Sequence, residues 1–389
     1  MAGATGTSSA DLNNFLLAES YPRHTAAPSM TRAYIGLMSG TSADAIDGVA
    51  ATFSTENTQI LATHSAPLSE PLQARIKQIV SGAADPLDEV MALDVDLALA
   101  FSDCAQQLIE QLQSPPAAIG CHGQTVRHRP QRQFTVQLGR GAIIAAQTGV
   151  PTVADFRSAD IALGGQGAPL VPAFHQAVFG SDTEDRAILN IGGIANVTLL
   201  GQDGTVGGFD TGPGNTLMDF WHRQHQRGPW DDRGNWSRRG TVDEALLARC
   251  LADPYFALAP PKSTGLEYFN PDWLRSQLSG TETPADVQAS LRALTARGAS
   301  DAIRQHHRSA RKVYLCGGGA RNDALVDEFR SALPGVEIAT TTILGIEPQW
   351  VEACAFAWLA RQRIRQEPGN VPAVTGASRP AVLGALYNP

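Results

Sequence analysis

Two stretches of this chain share one design, and together they narrow the folds open to it. Tyr34-Ile35-Gly36-Leu37-Met38-Ser39 is an apolar strand that runs into the loop Gly40-Thr41-Ser42-Ala43-Asp44-Ala45-Ile46-Asp47-Gly48, and Val49–Phe53 returns as a second strand. Ala187–Ile191 runs through Gly192-Gly193 into Ile194–Leu200 in the same way. An apolar β-branched run, a small-residue turn and another apolar run read as paired strands. Two copies point to a duplicated fold whose halves face one another. On pattern alone, unrelated strand–Gly–strand units of any α/β protein read alike.

Helical periodicity fills the intervals. It predicts helices over Leu87–Gln113, stopped by Pro115-Pro116, and over Val242–Leu251, Val287–His307, Asp323–Leu333 and Trp350–Ile364. Strands are expected at Phe134–Leu138, Val150–Val153 and Val313–Cys316. This alternation argues for the α/β class. A length of 389 residues suggests about two domains.

Bulk properties exclude several functions. The net charge is −8, so no nucleic-acid partner is indicated. The five cysteines are far apart, and no CxxC occurs, so neither a disulfide framework nor a zinc site is suggested. A reducing cytoplasm fits best. No apolar run approaches the ~20 residues of a membrane span. Residues 1–30 are rich in Ala, Ser and Thr and read as a disordered extension or an upstream start, with Met30 as an alternative.

Five segments carry chemistry. The Gly40–Asp47 loop offers bare N–H groups and hydroxyls to a phosphate, and Asp44 or Asp47 offers a carboxylate to Mg²⁺. A plain polar hairpin is its bland alternative. Gly120-Cys121-His122-Gly123-Gln124 ends a strand, where α/β proteins bind ligands. His122 there suits either a sugar or a structural role. Asp155-Phe156-Arg157-Ser158-Ala159-Asp160 leads into Gly164-Gly165-Gln166-Gly167, a site or a domain crossover, and Arg157 can grip a carboxylate. Gly207-Gly208-Phe209-Asp210-Thr211-Gly212-Pro213-Gly214-Asn215 sets a carboxylate in a stiff loop after a short strand, as a base or an Asx-turn. Gly317-Gly318-Gly319 lies between a strand and a helix, where a nucleoside can approach backbone. The role of Lys262-Ser263-Thr264-Gly265 is open. No P-loop, nucleophile elbow or zinc helix occurs.

Taken in order, these motifs, with Gly123-Gln124-Thr125-Val126-Arg127-His128 and Asn190-Ile191-Gly192-Gly193, closely resemble the anhydro-N-acetylmuramic acid kinases of bacterial cell-wall recycling. The resemblance runs from about Tyr34 to the C-terminus. It implies membership of the sugar kinase/Hsp70/actin superfamily, with two duplicated actin-like (ribonuclease H-like) domains around an interdomain cleft. Residues 31–155 plus 365–389 would form the first and 156–364 the second. It implies ATP and Mg²⁺ as cofactors, held by Gly40, Thr41, Ser42, Ala43, Asp44, Ala45, Ile46 and Asp47, with Gly192, Gly193, Gly317, Gly318 and Gly319. Asp210 and Glu352 would be catalytic, and His122, Arg157 and Asp160 would contact substrate. A cytoplasmic homodimer is the family-level expectation. Ala43 and Ala45 stand where the family usually has Leu and Gly, and Ala45 removes backbone freedom from the loop.

The implied reaction opens the 1,6-anhydro ring of the sugar with water and phosphorylates O6, giving N-acetylmuramic acid 6-phosphate and ADP. Another superfamily kinase acting on a free hydroxyl, an actin- or Hsp70-like ATPase without a small substrate, and a silent binding module are the rival readings.

Overall fold

The computed structural model describes residues 32–40, 42–54, 57–82, 86–226 and 228–389. The proposed extension, Met30 and Thr41 lie outside these residues. The strands are β1 (Tyr34–Ser39), β2 (Ala45–Phe53), β3 (Thr58–Pro67), β4 (Ala118–Cys121), β5 (Gln124–Arg129), β6 (Phe134–Leu138), β7 (Thr152–Ala154), β8 (Arg186–Ile191), β9 (Ile194–Leu200), β10 (Val206–Pro213), β11 (Lys312–Cys316), β12 (Glu337–Thr340) and β13 (Ala385–Tyr387).

One sheet runs β13-β7-β4-β1-β2-β3 and a second runs β10-β9-β8-β11-β12, while β5 and β6 form a hairpin of their own. In the first, β1, β2 and β3 are antiparallel neighbours, and β4 and β7 continue parallel to β1. In the second, β8, β9 and β10 are antiparallel, and β11 and β12 continue parallel to β8. Each sheet therefore has the order 3-2-1-4-5, with β13 added antiparallel at the β7 edge of the first. This is the ribonuclease H-like sheet used twice: the duplication expected from the paired strand–turn–strand segments, in the actin-like α/β form that the family resemblance implies.

Each sheet has an outer helical layer. Leu93, Leu97, Phe101 and Leu108 of the helix Leu87–Ile109 share one buried cluster with Ile35, Leu37, Ile46 and Ile119. That helix ends four residues before the expected Gln113, because Gln111 and Leu112 turn inward onto the carbonyls of Leu108 and Ile109. Such tightened bonds satisfy terminal carbonyls without continuing the helix. The helix Pro284–His306 does the equivalent work on the second sheet, with Leu291, Leu294 and Ile303 against Leu189, Val197 and Leu315.

A third cluster lies between the sheets. Val49, Ala118 and Val153 from the first sheet and Ile188, Leu200 and Tyr314 from the second meet around the helix Val351–Arg365. The stripe of this helix that meets the first sheet is alanine: Ala353, Ala357 and Ala360 are buried completely. Its backbone lies directly on glycine. A Cβ on Gly36 would strike the carbonyl of Ala353, and one on Gly120 would strike the carbonyl of Phe356. Two glycines, on adjacent strands β1 and β4, thus set how close the helix comes.

Gly36→Ala is expected to cost about 3 kcal/mol or to prevent folding, because backbone cannot give way as a flexible side chain does. Gly40→Ala, whose Cβ meets nothing within 4 Å, is expected to stay within about 0.5 kcal/mol of wild type. Urea unfolding of both variants checks the contrast; equal midpoints would contradict it.

Candidate active site

The carboxylate at position 210 stands inside β10 rather than after it, opposite Asn196 of β9. The register slips between Asp210 and Gly212, and Gly212 has φ +136°, a backbone conformation suited to glycine. A bulge of this kind re-aims a side chain without ending the strand. The segment 255–264 then locks it. The Tyr255 hydroxyl donates to the Asp210 carbonyl at 2.7 Å, the Asp210 amide donates to the Lys262 carbonyl at 3.2 Å, and the Thr264 amide donates to Asp210 Oδ2 at 2.9 Å. Lys262 Nζ closes the segment on itself, donating to the Tyr255 carbonyl at 3.2 Å and lying 4.8 Å from the Tyr255 ring centre. Burial pushes the Asp210 carboxyl up to about 7, against the opposing pull of the Thr264 amide, Arg157 and Lys262.

Glu352 enters from the other side, on the first turn of the helix seated on Gly36 and Gly120. Its carboxyl is also raised by burial, with Asp47 adding to the rise and Arg157 and an Asn190 hydrogen bond opposing it. Arg157 is the cation common to both carboxylates. Burial lowers its own pKa to about 10, while Glu352, Asp210 and Asp160 hold it up, so it stays charged at neutral pH. Its guanidinium donates to His122 Nε2 at 2.8 Å through Nη2 and at 3.2 Å through Nε, and to the Gly167 carbonyl at 2.6 Å. An imidazole nitrogen that accepts from Arg carries no proton. The His122 proton is therefore on Nδ1, donated to the Gly123 carbonyl at 2.8 Å. Burial and the neighbouring Arg157 hold His122 well below its ordinary pKa, and its ring packs 4.6 Å from Phe356.

The glycine turns converge as a separate group. The carbonyls of Gly192 and Gly193 accept the amides of Asn215 and Gly214, at 2.8 and 2.9 Å. Gly317, at φ +76°, packs against Asn190 and Ile191, and Gly319 packs on Ile191. Gly318 is the open one: a Cβ there would meet only Asn215 Nδ2, at 3.8 Å. Gly40 is open as well, so bare backbone faces free space at both turns, as a phosphate or ribose requires.

Comparison with known proteins decides between the rival readings. The family model described as anhydro-N-acetylmuramic acid kinase matches residues 32–389. The chain belongs to this family. The anhydro-N-acetylmuramic acid kinase of Saccharophagus degradans is 47% identical over 92% of this chain and 99% of its own length. That of Cupriavidus pinatubonensis is 48% identical over 91% and 98%. Among solved structures, the activator of the 2-hydroxyisocaproyl-CoA dehydratase from Clostridium difficile with bound ADPNP matches with a TM-score of 0.46 at 14% identity, covering 86% of this chain and 96% of that one.

Within this kinase-family chain the expected site residues fall into three groups. Asp210, Glu352, Arg157 and His122 share one electrostatic neighbourhood. Gly192, Gly193, Gly317, Gly318 and Gly319 share another with Asn190 and Asn215. In the first turn, Ser42 and Asp44 are exposed, whereas Ala45, Ile46 and Asp47 already belong to β2, with Ile46 fully buried. The backbone demand also falls elsewhere than expected: Ala43 has φ +53°, while Ala45 is extended strand paired with Pro67. An alanine in the left-handed region costs roughly 1–2 kcal/mol. Asp160 acts on the first group only through Arg157. It has no exposed surface, and Asn370 and Thr375 donate to its Oδ1 at 2.7 Å each, while the Gly167 amide donates to Oδ2 at 2.8 Å. This carboxylate holds the Gly164–Gly167 loop to the C-terminal segment.

Three polar residues had no role assigned from the sequence. Asn190, at the end of β8, bonds Glu352. Gln124 accepts from Ser39 Oγ at 2.7 Å and donates to the Gly40 carbonyl at 3.3 Å, pinning the first turn. Gln349 donates to Asp47 Oδ1 at 3.1 Å and accepts from Arg321, joining β2 to the triple-glycine turn. A polar residue at the C-terminal end of a central apolar strand is the signal that marks Asn190.

Two tests follow from this geometry. Asp160→Asn turns one accepting oxygen into a donor facing donors; it is expected to lose about 2–3 kcal/mol of stability with KM changed less than kcat or not at all, and a normal melting temperature would contradict the anchoring role. For Asp210, the folded carboxyl binds its proton more tightly than the unfolded one, so native stability falls as the pH rises from about 4 through 7. Asp210→Asn is therefore expected to be more urea-resistant than wild type at about pH 8 and to lose that advantage by about pH 4. A difference independent of pH would show that burial does not raise this carboxyl.

Proposed function

We propose that the chain opens the internal 1,6-anhydro bridge of anhydro-N-acetylmuramic acid with water and places the γ-phosphoryl group of ATP on the released O6, in cell-wall sugar recycling. The observation that carries this reading is Asp210: one oxygen is held by backbone, its pKa stands near neutrality, and among the described residues its second oxygen receives no hydrogen bond. A sugar whose O6 is closed into a bridge has no hydroxyl proton for a base to take. Asp210 instead takes a proton from water as the water oxygen attacks C1 and the C1–O6 bond breaks. A base with a pKa of about 7 is ionised for about half of the time at neutral pH and still accepts a proton readily.

Arg157 is the countercharge to Asp210 and to Glu352 and carries His122 with it. Three of its five N–H donors are used as named above, which leaves two donors and its fixed positive charge for the lactyl carboxylate. Glu352 holds a sugar hydroxyl or the water. Ser42, Gly40, Gly192, Gly193 and Gly317–Gly319 form the nucleotide side. Bound MgATP supplies the phosphoryl group and neutralises the charge that develops on it. Asp44 or Asp47 would share the Mg²⁺ ion that the ATP phosphates hold. We place the domain limits at 31–155 with 365–389, and 156–364, around a cleft, with the exception of the helix Val351–Arg365, which packs on Gly36 and Gly120 of the first sheet and goes with it. We assign the protein to the cytoplasm as a homodimer; among the described residues no helix is long and apolar enough to cross a membrane.

Asp210→Asn is expected to fold and bind sugar while kcat falls by about two to four orders of magnitude. Wild-type kcat should rise with pH through an inflection near 7. Coupled ADP-release assays on the anhydro sugar and on reducing N-acetylmuramic acid check both. Turnover confined to the reducing sugar would favour a kinase for a free hydroxyl, and near-normal turnover by the Asn variant would remove Asp210 from the role.

A further inference from the structure

The short turn Pro348–Trp350 leads into the helix that carries Glu352, and it is tied to both sheets. The Pro348 carbonyl accepts the Gly317 amide at 3.0 Å. The Gln349 side chain reaches further: its Nε2 donates to Asp47 Oδ1 at 3.1 Å, and its Oε1 accepts from the Arg321 guanidinium. Asp47 belongs to β2 of the first sheet, whereas Arg321 closes the triple-glycine turn that follows β11 of the second. A carboxylate only accepts and a guanidinium only donates. The side chain that fits between them has one donor, one acceptor and no charge. A glutamate there would repel Asp47, and a lysine or arginine would repel Arg321.

A neutral bridge orients Asp47 without cancelling its charge. Among the described residues Asp47 forms no ion pair and its Oδ2 receives no hydrogen bond, and the residue is partly exposed. Asp44, the other acidic residue of this turn, is exposed, and among the described residues nothing holds its carboxylate. A carboxylate that shares a metal is held by a hydrogen bond from a neighbour, and loss of that neighbour weakens the metal about 10- to 100-fold. We infer that Gln349 is the positioning residue for Asp47: it fixes Oδ1 and leaves Oδ2 for the Mg²⁺ ion that the ATP phosphates hold. Arg321 fastens this hold to the turn that takes the nucleoside, so one side chain aligns nucleotide contacts that come from different sheets. Gln349 moves no proton. The inference rests on the reading that Asp44 or Asp47 shares the cation, and it chooses Asp47.

Calorimetric titration of the full chain with a non-hydrolysable ATP analogue, without sugar, in Mg²⁺ and in EDTA, tests this. Wild type is expected to bind more tightly in Mg²⁺. Gln349→Met keeps the length of the side chain and removes both hydrogen-bonding groups. It is expected to weaken binding in Mg²⁺ roughly 10- to 100-fold and to leave binding in EDTA within about threefold, with a melting temperature within about 3 °C of wild type. Asp47→Asn is expected to lose the same Mg²⁺-dependent gain. The double variant should then bind within about twofold of Asp47→Asn alone, because a residue that acts through another adds nothing once that other is gone. Equal weakening in Mg²⁺ and in EDTA is the pattern of a residue that merely fastens the triple-glycine turn, and it overturns the inference. So do losses that add in the double variant, and so does Gln349→Met binding within about twofold of wild type in Mg²⁺. Should the Met variant fail to fold, Gln349→Ala carries the same comparison. An Asp47→Asn variant that keeps the whole Mg²⁺-dependent gain overturns the underlying reading of Asp47, whereas a variant that loses it beside an unaffected Gln349→Met overturns the Gln349 contact alone.

Discussion

The approach of one helix to two glycines determines where the chemistry can happen. Val351–Arg365 lies with its backbone on Gly36 and Gly120, and its alanine face leaves no side chain to hold it off. This depth carries Glu352 to the ends of the β strands, where its carboxyl feels Asp47 and Arg157. It also sets Phe356 under the His122 ring, so the histidine that accepts from Arg157 is braced from below. The same helix touches residues of both sheets. Packing that holds the fold together is thus the packing that assembles half of the site.

The other half is assembled by a bulge. Asp210 is the last residue of β10 in regular register before the slip at Gly212, and its bonds with Tyr255, Lys262 and Thr264 fix it there. Burial near neutral pH leaves this carboxyl poised between forms, while Arg157 keeps two acidic groups tolerable in one place. Each of the two carboxyls is raised by its own desolvation and not by the other. Here a guanidinium, itself anchored by His122 and Gly167, supplies the countercharge.

The architecture was legible because its signals are local. Apolar runs around small-residue turns gave β1–β2 and β8–β9, and Phe134–Leu138 is β6 to the residue. What stayed hidden depends on contacts between distant segments. Nothing in the spacing of Asp160 separates a substrate contact from a buried anchor; the difference lies in Asn370 and Thr375, more than two hundred residues away. The loop at Ala43 shows the same limit. Its residue types announced an unusual turn, but the position of the positive φ follows from where β2 begins to pair with β3. The sequence sets Asp210 in a loop after a short strand, whereas it stands within β10, because a bulge within a strand and a loop after one have the same Gly-rich sequence.

The central claim is that solvent, directed by Asp210, opens the bridged sugar while O6 keeps its own oxygen and becomes the phosphate ester. A single turnover in H₂¹⁸O, with the product read by mass spectrometry before anomeric exchange, tests this directly. The account predicts one heavy oxygen at C1 and none at the C6–O–P bridge. Heavy oxygen in the phosphate-ester bridge, or an unlabelled C1, would contradict it.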